Sequence, residues 1–184
     1  MARRPNQLNP SEILFQASEQ MRLSALRPNL NRYKPHAKQI EFASDQHKHR
    51  LYVGGNRSGK TVAGVIEDIR YLKGEHPYRK VPEAPVRGRV VGVDFASGIE
   101  KILLPQFAQW VPKSLLKNGS WDDSYSKDRR TLTLDNGSFV EFMSYDQDLQ
   151  KFAGTSRHFV HFDEEPPELI YDECRARHVD TNGG

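Results

Sequence analysis

Residues 51–64 read "LYVGGNRSGKTVAG". Within them Gly54 to Thr61, "GGNRSGKT", fits G-x-x-x-x-G-K-[ST] at every fixed position. An apolar run precedes the glycines, and a helical pattern follows the Lys-Thr pair. That order suits an anion cradle. Glycines let successive backbone N–H groups turn inward around a phosphate, and the first turn of a helix adds its partial positive charge. Gly54, Gly55, Asn56, Arg57, Ser58, Gly59, Lys60 and Thr61 are therefore the candidate phosphate-binding residues. Lys60 is placed to reach the β- and γ-phosphates, and the Thr61 hydroxyl to ligate Mg²⁺. The bland alternative is a glycine-rich turn carrying an exposed lysine, and the strand-to-helix setting argues against it.

A phosphate loop that hydrolyses its nucleotide needs a second part: an apolar strand ending in a carboxylate. "FVHFDEE" at 159–165 supplies one. Asp163 ends the strand as the Mg²⁺ partner, and Glu164 is placed to polarise the attacking water, with Glu165 as its rival. The competing reading is an acidic helix start, where carboxylates favour the helix dipole. His158 and His161 invite a metal-site reading, but positions an odd number apart on a strand point to opposite faces, so zinc is not expected. Upstream, "RYKPHAKQIEF" places Tyr33 and Gln39 ahead of the loop. A glutamine carboxamide can pair with N6 and N7 of adenine while an aromatic ring stacks on the base, which points to ATP. Arg57, inside the loop, is a candidate sensor of the γ-phosphate.

Around these motifs the chain alternates strand and helix. Ser11 is the expected cap of a helix over 11–26, followed by a polar, proline-bearing connector; residues 1–32 read as a helical arm and linker. The spacing predicts a strand at "RLYVGG", a helix over 61–74 ending at Gly74, and a strand at "RVVGVDF". It also predicts a helix from Ser97, capped with Glu100 and disturbed at Pro105. A hairpin is expected around Asn136-Gly137, then a strand and a helix after "DEEPP". The expected fold is α/β: a three-layer P-loop NTPase of the RecA/ASCE type, with a mainly parallel sheet and an inserted β-hairpin.

With 184 residues, 36% apolar and 28% charged, the chain suits one core with a small appendage. No run nears the roughly 18 apolar residues of a membrane span, and no apolar stretch follows the basic N-terminus as in a secretory signal. The lone Cys174 excludes an internal disulfide framework. A net charge of +3 leans toward a polyanionic partner, although charges of both signs are interspersed.

The ordered set "YKPHAKQIEF", "LYVGGNRSGKT", "LDNGSFVEFMSYDQD", "FAGTSRHFVHFDEEP" and "ARHVDTNGG" resembles the ATPase part of a tailed-phage terminase large subunit, over residues 33–184. The resemblance implies a Mg²⁺-dependent ATPase that drives double-stranded DNA into a procapsid. It would work as a homo-oligomeric ring on the portal protein, with a small terminase subunit, in the cytoplasm of an infected bacterial host and away from membranes. Position by position it implies phosphate and Mg²⁺ binding by Gly54, Gly59, Lys60 and Thr61, and metal holding by Asp163. Glu164 would be catalytic, Gln39 and Tyr33 would contact adenine, and Arg57 would be the loop's basic residue. Such proteins continue into a coupling motif and a nuclease domain. The quoted sequence stops at "DTNGG", so the domain is expected to be truncated on its C-terminal side, with no DNA cutting from these residues. Two alternatives remain: a DEAD-box-like helicase or translocase, and a nucleotide-binding assembly module without turnover.

Overall fold

Three parallel strands give the chain its frame. The computed structural model describes residues 9, 11, 12, 14, 15, 18 and 30–179, the side chains of 177–179 excepted. In chain order the main elements are α1 (Ala37–Ser44), α2 (Lys60–Lys73), β1 (Arg87–Gly92), a π-helical segment (Phe95–Leu103), α3 (Leu104–Trp110) and α4 (Trp121–Ser124). They continue with β2 (Tyr125–Ser126), β3 (Thr131–Thr133), β4 (Phe139–Ser144), β5 (Phe159–Phe162) and α5 (Glu168–Val179). The five-stranded sheet has the order β2-β3-β4-β1-β5. Strand β1 runs parallel to both β4 and β5, and the inserted hairpin adds β3 and β2 antiparallel beyond β4.

Strand alternation divides the core between the two faces of this sheet. Val90, Val140 and Phe142 pack with Val65, Ile69 and Leu72 of α2 and with Ile99, Leu103 and Phe107 beyond β1. Val91 and Met143 face the other way, onto Phe152 and onto Ile170 and Cys174 of α5. Helix–sheet–helix layering of the expected kind results, because β1 is buried on both faces. The Asn136-Gly137 turn closes the hairpin as anticipated: Leu134 N–H donates to the Ser138 carbonyl (2.8 Å), and Gly137 has φ 81°. Gly74 ends α2 in the left-handed conformation.

Several local expectations need correction. Residues 51–55 form no strand, and Leu51 and Val53 are 86% and 79% exposed. A strand requires a ladder partner. Edge strand β5 pairs with β1 alone among the described residues, and a cleft of about 740 Å³ is lined both by residues 51–54 and by residues 158–165. The helix after β1 is capped by Asp94, which accepts from Ser97 N–H (2.6 Å), rather than by Ser97. Its first nine residues are π-wound, and Pro105 sits in the first turn of α3. Proline cannot donate to the residue four back and crowds that carbonyl, so the disturbance spreads upstream of it. Near the N-terminus, Ser11, Glu12, Leu14, Phe15 and Ser18 are helical, but the Ser11 N–H donates to Asn9 Oδ1 (3.1 Å), so Asn9 rather than Ser11 supplies the capping oxygen. The rest of that expected helix lies outside the described residues.

Two buried ionic clusters tie the layers together. Glu141 of β4 accepts from Arg89 of β1 (2.5 Å) and from Arg157 (3.0 Å), and Arg89 also donates to the Phe152 carbonyl (2.9 Å). The Gly-x-x-Arg stretch at 154–157 thus turns its arginine inward. On α2, Glu67 accepts from Arg50 (2.8 Å), Arg70 (2.9 Å) and His76 (2.9 Å). Burial alone would raise the Glu67 carboxyl, but the His76 hydrogen bond and the Arg50 charge outweigh it and hold the group below its ordinary 4.5.

Removing one member of such a cluster strands the others without a counter-charge. Glu67→Ala should cost about 3–5 kcal/mol in urea unfolding at neutral pH. A folded-state value below the unfolded one stabilises the protein above pH 4.5, and that contribution falls away as pH drops through the depressed value. The gap between wild type and Glu67→Gln should therefore shrink on acidification below pH 4.5, which unfolding curves taken as a function of pH will measure.

Candidate functional site

The loop between Val53 and α2 is short, exposed and rich in glycine. Its turn is closed by Ser58 N–H donating to the Gly55 carbonyl (3.2 Å). Gly59 precedes α2 with φ 80°, a conformation that glycine adopts without strain. Arg57 also has a left-handed backbone (φ 62°) and projects from the loop's exposed tip beside Asn56. The 14-residue α2 therefore starts immediately behind the turn, with its orphan N–H groups directed at it. Lys60 folds back across the loop, its Nζ donating to the carbonyls of Gly54 (2.5 Å) and Gly55 (3.1 Å).

Two further residues brace the loop from behind. The Gln39 carboxamide accepts from His36 N–H (3.1 Å) and donates to the Gly59 carbonyl (3.1 Å). His36 Nε2 lies 3.1 Å from the Ser58 carbonyl. Gln39 is buried, with both ends of its amide on protein partners, so pairing with adenine would require it to exchange them. Tyr33 meets the edge of Trp110 (5.7 Å between centroids), with the Arg70 guanidinium 5.8 Å from its ring. Burial pushes its phenol up to about 12, against the opposing charge of Arg70. Neither Tyr33 nor Gln39 lines the cleft. His36 was not singled out in the sequence; its place three residues before Gln39, at the start of α1, was the available signal.

Strand β5 delivers the acidic residues. Asp163 follows its last residue, and Thr61 Oγ1 donates to Asp163 Oδ1 (3.3 Å) across 102 residues of sequence. Glu164 is exposed and has a left-handed backbone, φ 69°, an unusual state for a non-glycine residue. The Tyr145 hydroxyl lies within donating distance of the carbonyls of both Asp163 (3.2 Å) and Glu164 (3.1 Å), supporting the strained turn. Burial raises the Tyr145 phenol, with the Asp163 charge adding to it, so the hydroxyl stays protonated as a donor. Nothing in the spacing of Tyr145 links it to residue 163 in the sequence. Glu165 is exposed one residue further on.

The two histidines separate as strand alternation requires. His158 Nδ1 accepts from the Arg87 N–H (2.9 Å). His161 Nδ1 donates to Asp68 Oδ2 (2.7 Å). Burial pulls the His161 imidazole down, but the Asp68 carboxylate outweighs it and leaves the imidazole above its ordinary value.

No group of three His, Cys, Asp or Glu side chains among the described residues could hold a metal by itself. Thr61 and Asp163 nonetheless fit Mg²⁺, which keeps several waters and takes one or two protein oxygens together with substrate phosphates. The Ser58 hydroxyl, buried in the loop, has no hydrogen-bond partner among the described residues, as expected of a cradle whose bonding is completed by a ligand.

No protein-family profile and no curated protein matches this sequence. Among solved structures, the chain is similar to the Thermus phage P74-26 large terminase ATPase domain, with a TM-score of 0.57 and 18% identity. The chain has the fold of a terminase ATPase domain. An arginine-to-alanine mutant of that domain gives a TM-score of 0.55 and 19% identity. Each alignment covers 80% of this chain and 63% of the solved one, so the chain spans less than two thirds of those structures. No described helix is long and apolar enough to cross a membrane.

Gln39→Ala leaves the Gly59 carbonyl and the His36 N–H without their side-chain partner. The expected cost is about 1–3 kcal/mol in chemical unfolding; an unchanged midpoint would show that the brace contributes nothing.

Proposed function

We propose that this chain is the ATP-hydrolysing motor domain of a viral terminase large subunit. The observation that carries the reading is the Thr61–Asp163 contact, 3.3 Å, at the N-terminus of α2. It brings the phosphate-loop motif beside the acidic strand end, which supports a Mg²⁺–nucleotide site, on a fold like that of a phage terminase ATPase domain.

In this reading the loop amides of Gly54–Gly59 and the first turn of α2 receive the phosphates. Lys60 leaves the carbonyls of Gly54 and Gly55 for the β- and γ-phosphate oxygens. Thr61 and Asp163 hold the metal side, the first through its hydroxyl and the second through its carboxylate. A Mg²⁺ ion held there would supply positive charge against the phosphates. Glu164, exposed on a turn fixed by Tyr145, orients and polarises the attacking water. Arg57 at the loop tip senses the γ-phosphate. ATP as the nucleotide follows from the sequence resemblance. The wider role rests on the same footing: translocation of double-stranded DNA by a ring on the portal protein, with a small terminase subunit, in the cytoplasm of an infected bacterium.

Phosphate release and nucleotide binding test the reading together. Lys60→Ala should lose nucleotide affinity while the fold is retained. Glu164→Gln should keep affinity and lower turnover by about 10²–10⁴-fold, the usual contribution of a positioned general base. Wild-type affinity in Lys60→Ala would remove the phosphate-loop assignment. Binding without measurable hydrolysis in the wild type would favour a passive assembly module.

A further inference from the structure

Strand β5 and the residue that follows it reach α2 through three side chains on one face. Phe159, His161 and Asp163 are alternate residues, so they point the same way. Opposite them stand Tyr71, Asp68 with Gly64, and Thr61, whose spacings of three, four and three residues put them in one stripe of α2. The contacts follow in order. Phe159 meets the Tyr71 ring edge-on at 5.4 Å between centroids. His161 donates to Asp68 (2.7 Å), and Asp163 accepts from Thr61 (3.3 Å).

The middle contact is the specific one. The Asp68 and His161 side chains are only 5% and 16% exposed, at the wall of the cleft that the phosphate loop also lines. Gly64 makes room for it: a Cβ at that position would overlap the imidazole Cε1 and Nε2 atoms. Aromatic contact at Phe159 tolerates sliding, whereas a buried hydrogen bond seated against a glycine does not. Strand β5 has only four residues and one ladder partner among the described elements, so the sheet holds it along one edge and its seat over α2 rests on these side-chain contacts.

We infer that Asp68, His161 and Gly64 form a register pin that places Asp163 opposite Thr61. They act as positioning residues, working through Asp163 and Thr61. The inference rests on the proposed Mg²⁺–nucleotide site and adds the residues that set its spacing.

Gly64→Ala is the sharpest probe, because it removes no polar group and puts a better helix former into α2. Its added methyl displaces the imidazole and should shift Asp163 relative to Thr61. His161→Leu removes the pin by another route, and His161→Gln, which can still donate to Asp68, serves as the conservative rescue. Each variant is compared with wild type in fluorescent ATP-analogue binding, first in EDTA and then across a Mg²⁺ titration, with steady-state hydrolysis and thermal unfolding alongside. The pin predicts EDTA affinity within about twofold of wild type for all three, but Mg²⁺ half-saturation raised at least about tenfold in Gly64→Ala and His161→Leu. It also predicts lowered kcat at unchanged KM in both, with His161→Gln recovering much of the loss. Folded Gly64→Ala and His161→Leu proteins with wild-type Mg²⁺ response would overturn the pin alone. Loss of EDTA binding in step with unfolding would make the cluster merely structural and overturn it too. A wild-type chain that binds no nucleotide would sink the phosphate-loop reading, and the pin with it.

Discussion

The arrangement depends on the contact between one stripe of α2 and one face of β5. Everything proposed for the site lies at its upper end, where the phosphate loop enters the helix and the acidic turn leaves the strand. The sheet positions β5 through a single ladder, and the core fixes α2 through Val65, Ile69 and Leu72. Neither alone brings Thr61 to Asp163. The interface between them does, through an aromatic contact, a buried hydrogen bond and a hydroxyl–carboxylate contact in sequence.

Around that interface the polar interior has a consistent purpose. Glu67 gathers Arg50, Arg70 and His76 on the flank of α2, joining the helix to chain segments before and after it. Arg89 and Glu141 lock β1 to β4, and the Arg89 bond to the Phe152 carbonyl holds the stretch leading into β5. His36 and Gln39 reach the phosphate loop from α1. Buried charges of this kind are a costly way to add stability, but they are intolerant of misplacement. They suit a site whose chemistry needs atoms from distant parts of the chain held within hydrogen-bonding distance.

Much of this was legible in the residues. The glycine pattern with Lys60-Thr61 and the carboxylate at the end of "FVHFD" announce themselves through local chemistry, and the Asn136-Gly137 hairpin does so through turn stereochemistry. Other features depend on tertiary partners and were not legible. The run 51–53 has strand composition yet no ladder neighbour among the described residues, so propensity misread it. The Gln39 amide looks free in sequence because one of its partners, the Gly59 carbonyl, becomes a neighbour only when α1 packs beside the loop; the other, the His36 amide, is a local capping contact. Asp68 and Gly64 read as ordinary helix positions; only the arrival of His161 from nearly a hundred residues away gives them meaning. Tyr145 is the same case at the acidic turn.

The central claim is that Thr61 and Asp163 form the protein side of one metal–nucleotide site. Electron paramagnetic resonance of Mn²⁺, added with ATP in place of Mg²⁺, reads that site directly. Thr61→Ala and Asp163→Ala should each weaken Mn²⁺ retention in the protein–nucleotide complex by about 10–100-fold while metal-free ATP still binds. Wild-type Mn²⁺ retention in either variant would contradict the account.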